Sequence, residues 1–226
     1  MSRVVQLAEF RFFQGPKRAR PSPVIWHGLQ VPDRIAASFT SFPRSNHGQH
    51  PLPVGLDCAA HVLRALTRRR DRFLFLDAGI GLLPALAARS GARRVIAFES
   101  DRTKVNAMAA LFSQNRLGSE AIFGKLQRSV PLQDHMSIAA GVIPCFDRDL
   151  ILDEEKIETL VLTAGVTDPT VLTHMPHHVR RVILTDGERT PPQAERDRLI
   201  VHLISEGFSY DPQRSERNAL VFQRSS

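Results

Sequence analysis

The clearest chemical signal in this chain lies in five consecutive residues and a carboxylate one helix further on. Asp77-Ala78-Gly79-Ile80-Gly81 follows the apolar run Phe73-Leu74-Phe75-Leu76, and Glu99 closes a second run, Arg94-Val95-Ile96-Ala97-Phe98. Lacking a Cβ, Gly79 and Gly81 let backbone approach a bound ligand closely. A carboxylate at the end of the next strand, as at Glu99, can accept both hydroxyls of a ribose. Asp77, which can order the glycine turn, completes the candidate cofactor-binding set of Asp77, Gly79, Gly81 and Glu99. A dinucleotide turn of the Gly-x-Gly-x-x-Gly type needs a third glycine for close helix–strand packing. Pro84 occupies that position here, which disfavours NAD.

These residues need strands and helices to hold them, and the pattern supplies both. Phe73 to Leu76 reads as a short parallel strand buried on both faces. Leu82 to Arg89 reads as a helix with Pro84 in its first turn, where a missing N–H costs nothing, and Gly91 ends it. Arg94 to Phe98 is a second strand, and Ser100 or Asp101 caps a helix whose apolar side is Val105, Met108 and Phe112. Ala121-Ile122-Phe123, Thr159 to Leu162 and Val182 to Leu184 are expected as three further strands. A helix opened by Pro191-Pro192 buries Leu199 and Leu203 and ends at Gly207. A closing antiparallel hairpin is expected over Phe208–Tyr210 and Ala219–Gln223. Upstream, Leu56, Ala60, Leu63 and Leu66 recur at helical spacing, with Arg68-Arg69-Arg70 at the cationic end of that helix. Strands alternating with helices imply an α/β fold, Rossmann-like, with a mostly parallel sheet, helices on both faces and a C-terminal antiparallel hairpin. In such sheets ligands bind beyond the carboxyl ends of the strands, where both candidate carboxylates fall.

Residues 1–54 read as a basic, proline-rich extension, strand and loop in character and a possible lid, ahead of a domain over 55–226. Val4 to Phe13 alternates as one strand, Gly15-Pro16 and Pro21-Ser22-Pro23 mark turns, and Ser41 to Pro53 reads as loop. Trp26 and His27 either line a lid or pack against the domain. The chain carries a net charge of +7, but residues 1–72 hold 12 Lys/Arg against 4 Asp/Glu while residues 73–226 hold 18 against 19. The basicity therefore belongs to the leader, in clusters such as Lys17-Arg18-Ala19-Arg20 and Arg68-Arg69-Arg70, which either meet phosphates or form a solvated surface. Cys58 and Cys145 lie far apart without metal-ligand spacing, as expected of free thiols in a reducing, cytoplasmic setting. No apolar run is long enough to span a membrane.

The order Leu76-Asp77-Ala78-Gly79, then Gly91 through Glu99, then Asn115-Arg116-Leu117-Gly118 resembles the FkbM family of class I methyltransferases. Ile143-Pro144-Cys145-Phe146-Asp147, Lys156 to Leu162, Gly207-Phe208 and Arg217 to Phe222 follow the same family's order. The resemblance covers about residues 73–224. It implies a class I fold, S-adenosylmethionine as methyl donor, Asp77 facing the donor's methionine amine, and O-methylation of a small-molecule or sugar hydroxyl. The glycine loop is two residues shorter than the family's. Thr163-Ala164-Gly165-Val166-Thr167-Asp168 stands where the family has an Asp-Val-Glu-Gly-like segment.

Asp168 and Asp186, each beyond a strand end, are the candidates for a general base. His174, His177 and His178 cluster in sequence, but no cysteine or carboxylate pattern accompanies them, so no metal site is assigned. Three function classes follow. The first is a methyltransferase acting on a small hydroxylated molecule. The second is a catalytically silent protein of the same fold that binds or scaffolds a partner, motivated by the short loop and the missing acids. The third is a nucleic-acid methyltransferase using the basic leader.

Overall fold

The computed structural model describes residues 24–32, 35, 54–127, 143–163, 166, 169–186 and 193–224. The Val4–Phe13 strand, the turns at 15–16 and 21–23, the Lys17–Arg20 cluster, the Ser41–Pro53 loop, Asp168 and Pro191-Pro192 lie outside these residues.

A hairpin opens the described chain, with β1 (Val24–Trp26) antiparallel to β2 (Leu29–Val31) across a two-residue turn. Helix α1 (Val54–Leu66) leads to β3 (Arg72–Leu76), α2 (Leu82–Arg89), β4 (Arg94–Glu99), α3 (Arg102–Gln114) and β5 (Glu120–Phe123). Two short strands, β6 (Lys125–Gln127) and β7 (Cys145–Asp147), pair in parallel apart from the main sheet, and α4 (Arg148–Glu154) follows them directly. β8 (Thr159–Leu162), a 3-10 turn over Pro169–Leu172, β9 (Arg181–Thr185), α5 (Gln193–Ser205), β10 (Phe208–Tyr210) and β11 (Ala219–Arg224) complete the order.

The main sheet has seven strands in the order β10-β11-β9-β8-β3-β4-β5. β3, β4, β5, β8 and β9 run parallel, and β11 enters antiparallel to both of its neighbours. From β3 the chain steps outward to β4 and β5, then returns across β3 to start β8 on the other side. That reversal opens the crevice beyond the carboxyl ends of β3 and β8.

Alternation along the strands divides the core in two, because successive side chains point to opposite faces. Phe73, Phe75, Val95, Ala97, Val161 and Ile183 face α1, α2 and α3, and Trp26, Leu29, Val31 and Ile35 join this layer from the N-terminal segment. Leu74, Leu76, Ile96, Phe98, Leu160 and Leu162 face the other way, against Leu152, Leu172, Leu199 and Leu203. Trp26 is 1% exposed, its indole Nε1 donating to Asp57 at 2.9 Å, so it packs rather than lining an opening.

Helix α1 ends at Leu66, where the Thr67 hydroxyl donates to the Leu63 carbonyl at 2.6 Å, and Arg68–Arg70 follow directly beyond it. Two sequence expectations change in detail. Asp101, not Ser100, caps α3, accepting from Thr103 N at 2.8 Å. The stretch between β5 and β8, to which the sequence reading assigns no element, holds β6, β7 and α4.

Candidate functional site

Strand β3 ends at Leu76, and Asp77 follows with a φ of 52° that turns the chain away from the sheet. The Thr163 hydroxyl, at the end of β8, donates to the Asp77 carbonyl and to that of Leu76, so the two central strands are tied together where they stop. Ala78 N donates to Phe98 O at 3.0 Å, which brings the turn over the end of β4. The loop then closes on a single side chain. Glu99, 2% exposed, accepts from Gly79 N at 2.8 Å through one carboxylate oxygen and from Asp101 N at 2.9 Å through the other. Burial pushes the Glu99 carboxyl above the usual glutamate range and the charge of Asp77 adds to this, while the two backbone donors pull the other way.

Gly81 caps α2 in the left-handed region, with φ 86°. A Cβ there would collide with Cβ and Cγ of Met108 on α3. The bareness of Gly81 thus admits a packed helix behind the loop. Gly124 plays a comparable part on the other wall. Its N–H donates to Glu99 O at 2.9 Å, and Lys125 N then donates to Pro144 O at 2.9 Å, so the chain threads between the end of β4 and the β7 segment. Phe146 packs edge-on against Phe98, with ring centroids 5.3 Å apart.

Between these walls lies a cavity of about 250 Å³. Leu76, Phe98, Leu126, Val166 and Val171 give it an apolar lining, and Asp77, Glu99, Ser100, Lys125 and Gln127 supply polar groups. The four residues singled out from the sequence therefore converge. Asp77 and Glu99 line the cavity, while Gly79 and Gly81 form the loop behind it. Sequence reasoning missed Gly124 through Gln127, whose only local signal is a glycine directly after an apolar strand.

The floor beneath Val171 is fixed by Arg148, 1% exposed and the first residue of α4. Its guanidinium donates to the carbonyls of Val171 at 2.8 Å and Thr173 at 2.7 Å, and it pairs with Asp149. A charge this deeply buried persists only with such partners.

Asp186 does not reach the main cavity. It lies in a small neighbouring recess with Thr163, Thr185 and Arg196, and Arg196 Nη1 stands 3.1 Å from its carboxylate. Burial raises the Asp186 carboxyl above its usual range, against the pull of Arg196. A carboxyl that titrates higher in the folded than in the open chain contributes stability that is full at low pH and falls as pH rises through the raised value. Asp186→Asn lacks that loss, so its melting temperature relative to the parent is expected to rise between about pH 4 and about pH 7. Paired thermal melts across that range check this, and a constant offset would refute it. The three histidines meet different partners or solvent. His174 N donates to Glu206 at 2.7 Å, the His178 ring meets Leu152 O at 2.9 Å, and His177 is exposed. Among the described residues no group of three potential ligands is placed to hold a metal ion.

No protein-family model matches the sequence. No curated protein matches it in sequence either. Solved structures resemble it at low identity and with TM-scores below 0.5. The ribosomal protein L11 methylase of Lactobacillus delbrueckii subsp. bulgaricus is 13% identical with a TM-score of 0.48, over 76% of this chain and 79% of that one. The magnesium protoporphyrin IX methyltransferase of Synechocystis, solved with bound S-adenosylmethionine, is 17% identical with a TM-score of 0.45, over 83% and 88%. TrmK of M. capricolum, in complex with S-adenosyl-homocysteine, is 9% identical with a TM-score of 0.44, over 74% and 68%. The strand order, mostly parallel with antiparallel β11 set between β9 and β10 and with helices on both faces, is a Rossmann-like α/β arrangement.

Proposed function

We propose that this chain is an S-adenosylmethionine-dependent methyltransferase that holds its cofactor in the cavity beyond β3 and β4. The observation that carries this reading is Glu99. A nearly buried carboxylate fixes the glycine turn and at the same time borders the cavity. Each of its oxygens receives one backbone N–H, and a carboxylate oxygen has a second lone pair to offer a ribose hydroxyl. Asp77 would face the amine of the methionine portion, and Phe98, Leu126 and Val166 would surround the adenine. A cavity of about 250 Å³ suits a nucleoside portion, being just below the roughly 300 Å³ at which whole-ligand sites begin. The cofactor supplies an already activated methyl group, so the protein's work is to align the acceptor and exclude water.

For the acceptor, the resemblance to the FkbM family over residues 73–224 favours a hydroxyl of a small molecule or sugar. One observation favours a second reading, in which the protein binds cofactor without turnover. The Thr163 hydroxyl, where that family has an acid, is spent on two main-chain carbonyls, and Asp186 is paired with Arg196 in a separate recess.

The test is calorimetric titration with S-adenosylmethionine and S-adenosylhomocysteine, followed by a methyl-transfer assay over a panel of hydroxylated acceptors. Saturable binding of both nucleosides at one site per chain is expected. Absence of heat with either sinks the cofactor reading, whereas binding without transfer to any acceptor favours the silent one.

A further inference from the structure

The amino-terminal edge of the sheet, at the opposite end from the cavity, carries a row of arginines. Arg68, Arg69 and Arg70 lie in the turn into β3, Arg93 in the turn into β4, and Arg180 directly ahead of β9. Backbone hydrogen bonds join these turns into one rim. Arg93 N donates to Asp71 O at 2.9 Å, Glu158 N to Arg72 O at 3.1 Å, and Arg180 N to Glu158 O at 3.0 Å. All five arginines are exposed. Of the acids at this edge, Glu120 and Glu155 hold Arg94 at 2.8 and 2.9 Å and Asp71 lies 3.8 Å from Arg181, while Glu158 stands in the turn into β8. Among the described residues no ion pair reaches the five exposed guanidiniums.

A second observation lies just behind the row. Arg181 Nε is buried without a hydrogen-bond partner. Burial lowers the pKa of its guanidinium; Asp71 and Glu158 oppose this, but the positive charges of Arg214 and Arg68 add to it. In the turns and strand starts of this edge the eight arginines of residues 68–72, 93–94 and 180–181 outnumber the four acids Asp71, Glu120, Glu155 and Glu158.

We propose that this rim binds the phosphate backbone of a nucleic acid. Every exposed cation in the row is an arginine, whose planar fork matches phosphate oxygens two at a time. β4, β3, β8 and β9 lie side by side at about 4.8 Å spacing, so the row from Arg93 to Arg180 runs about 14 Å, enough for several successive phosphates. A membrane-surface site would add apolar anchors, yet among the described residues the exposed large hydrophobics Ile25, Leu150, Val201, Ile204 and Tyr210 all lie outside these turns. A protein interface would likewise centre on apolar or aromatic residues. Because the rim and the cavity lie at opposite ends of the strands, this proposal does not rest on the cofactor reading.

The test is fluorescence anisotropy of the full chain with a labelled RNA hairpin and a labelled DNA duplex, between about 50 and about 200 mM salt. Affinity for at least one of them is expected to fall steeply with salt. In R68A/R69A/R70A the slope of log affinity against log salt is expected to shrink by about 2 to 3, with binding at least about tenfold weaker at 100 mM salt and an unchanged thermal midpoint. Four results would overturn the proposal. They are no binding to either probe at the lowest salt, an unchanged slope in that variant, loss of the slope in K17A/R18A/R20A instead, or tighter binding to poly-glutamate or phosphatidylserine vesicles than to both nucleic acids.

Discussion

Glu99→Ala is expected to abolish calorimetric binding of S-adenosylmethionine and to lower the thermal midpoint by about 10 °C. The carboxylate is nearly buried and is the shared acceptor for Gly79 N and Asp101 N, so truncation leaves two backbone donors without partners. Each such donor costs about 1–3 kcal/mol, and a chain of this size loses about 2–4 °C per kcal/mol. The loop between β3 and α2 then loses its side-chain anchor across the end of β4 and keeps the bond from Ala78 N to Phe98 O. Glu99→Gln separates the two roles. Its amide oxygen can keep one bond while its NH2 opposes the other donor, so its stability should fall between parent and alanine variant. Melting and titration of both variants decide the matter. An alanine variant that melts with the parent would remove the clamp, and a destabilised variant that still binds S-adenosylhomocysteine normally would remove the ribose role.

The second large effect is expected at Gly124, where alanine should cost about 3–5 kcal/mol and weaken nucleoside binding at least about tenfold. Gly124 has φ 155°, a conformation that residues with a side chain rarely adopt. A Cβ would lie 2.5 Å from Phe146 Cε2 and 2.7 Å from Pro144 O. The ring can give way, but the carbonyl cannot turn without breaking its bond from Lys125 N. Backbone strain and overpacking each contribute about 1–3 kcal/mol. The strain displaces the wall that carries Lys125, Leu126 and Gln127 into the cavity. In an F146A background the same Gly124→Ala change should cost less, by the part of the loss owed to the ring. Denaturant midpoints of G124A, F146A and G124A/F146A measure that split, and a Gly124→Ala change without cost in the F146A background would show that neither the carbonyl nor φ matters.

What could be read from the sequence was what is locally encoded. β3, β4 and the turn between them are marked by apolar runs with Asp and Gly at their ends, so the meeting of Asp77 with Glu99 followed from two strands lying in parallel. The antiparallel closure at β10 and β11 was legible from two short runs separated by a polar turn. β6 and β7 were not, because each is three residues long and is defined by a partner about twenty residues away. Arg148 sits in the polar stretch Asp147-Arg148-Asp149, which reads as surface. Its burial depends on carbonyls from the 3-10 turn converging on it, and no periodicity encodes that. The same limit applies to Asp186, visible as a strand-end acid while its Arg196 partner came from a different element. Glu99 was recognisable as a strand-end carboxylate, but the two main-chain donors that shut it behind the loop were not.

The chain's only tryptophan, Trp26, is the residue that pins the β1–β2 hairpin into the core, its indole bonded to Asp57 and its ring edge-on to His27 at 4.7 Å. The protein therefore carries a built-in optical label at the seam between its N-terminal segment and the sheet. Its emission is that of an indole in a dry, ordered setting for as long as the hairpin stays docked. Lifting the hairpin away would shift that emission to the red while the parallel strands remained intact, so one wavelength scan distinguishes loss of the seam from loss of the fold.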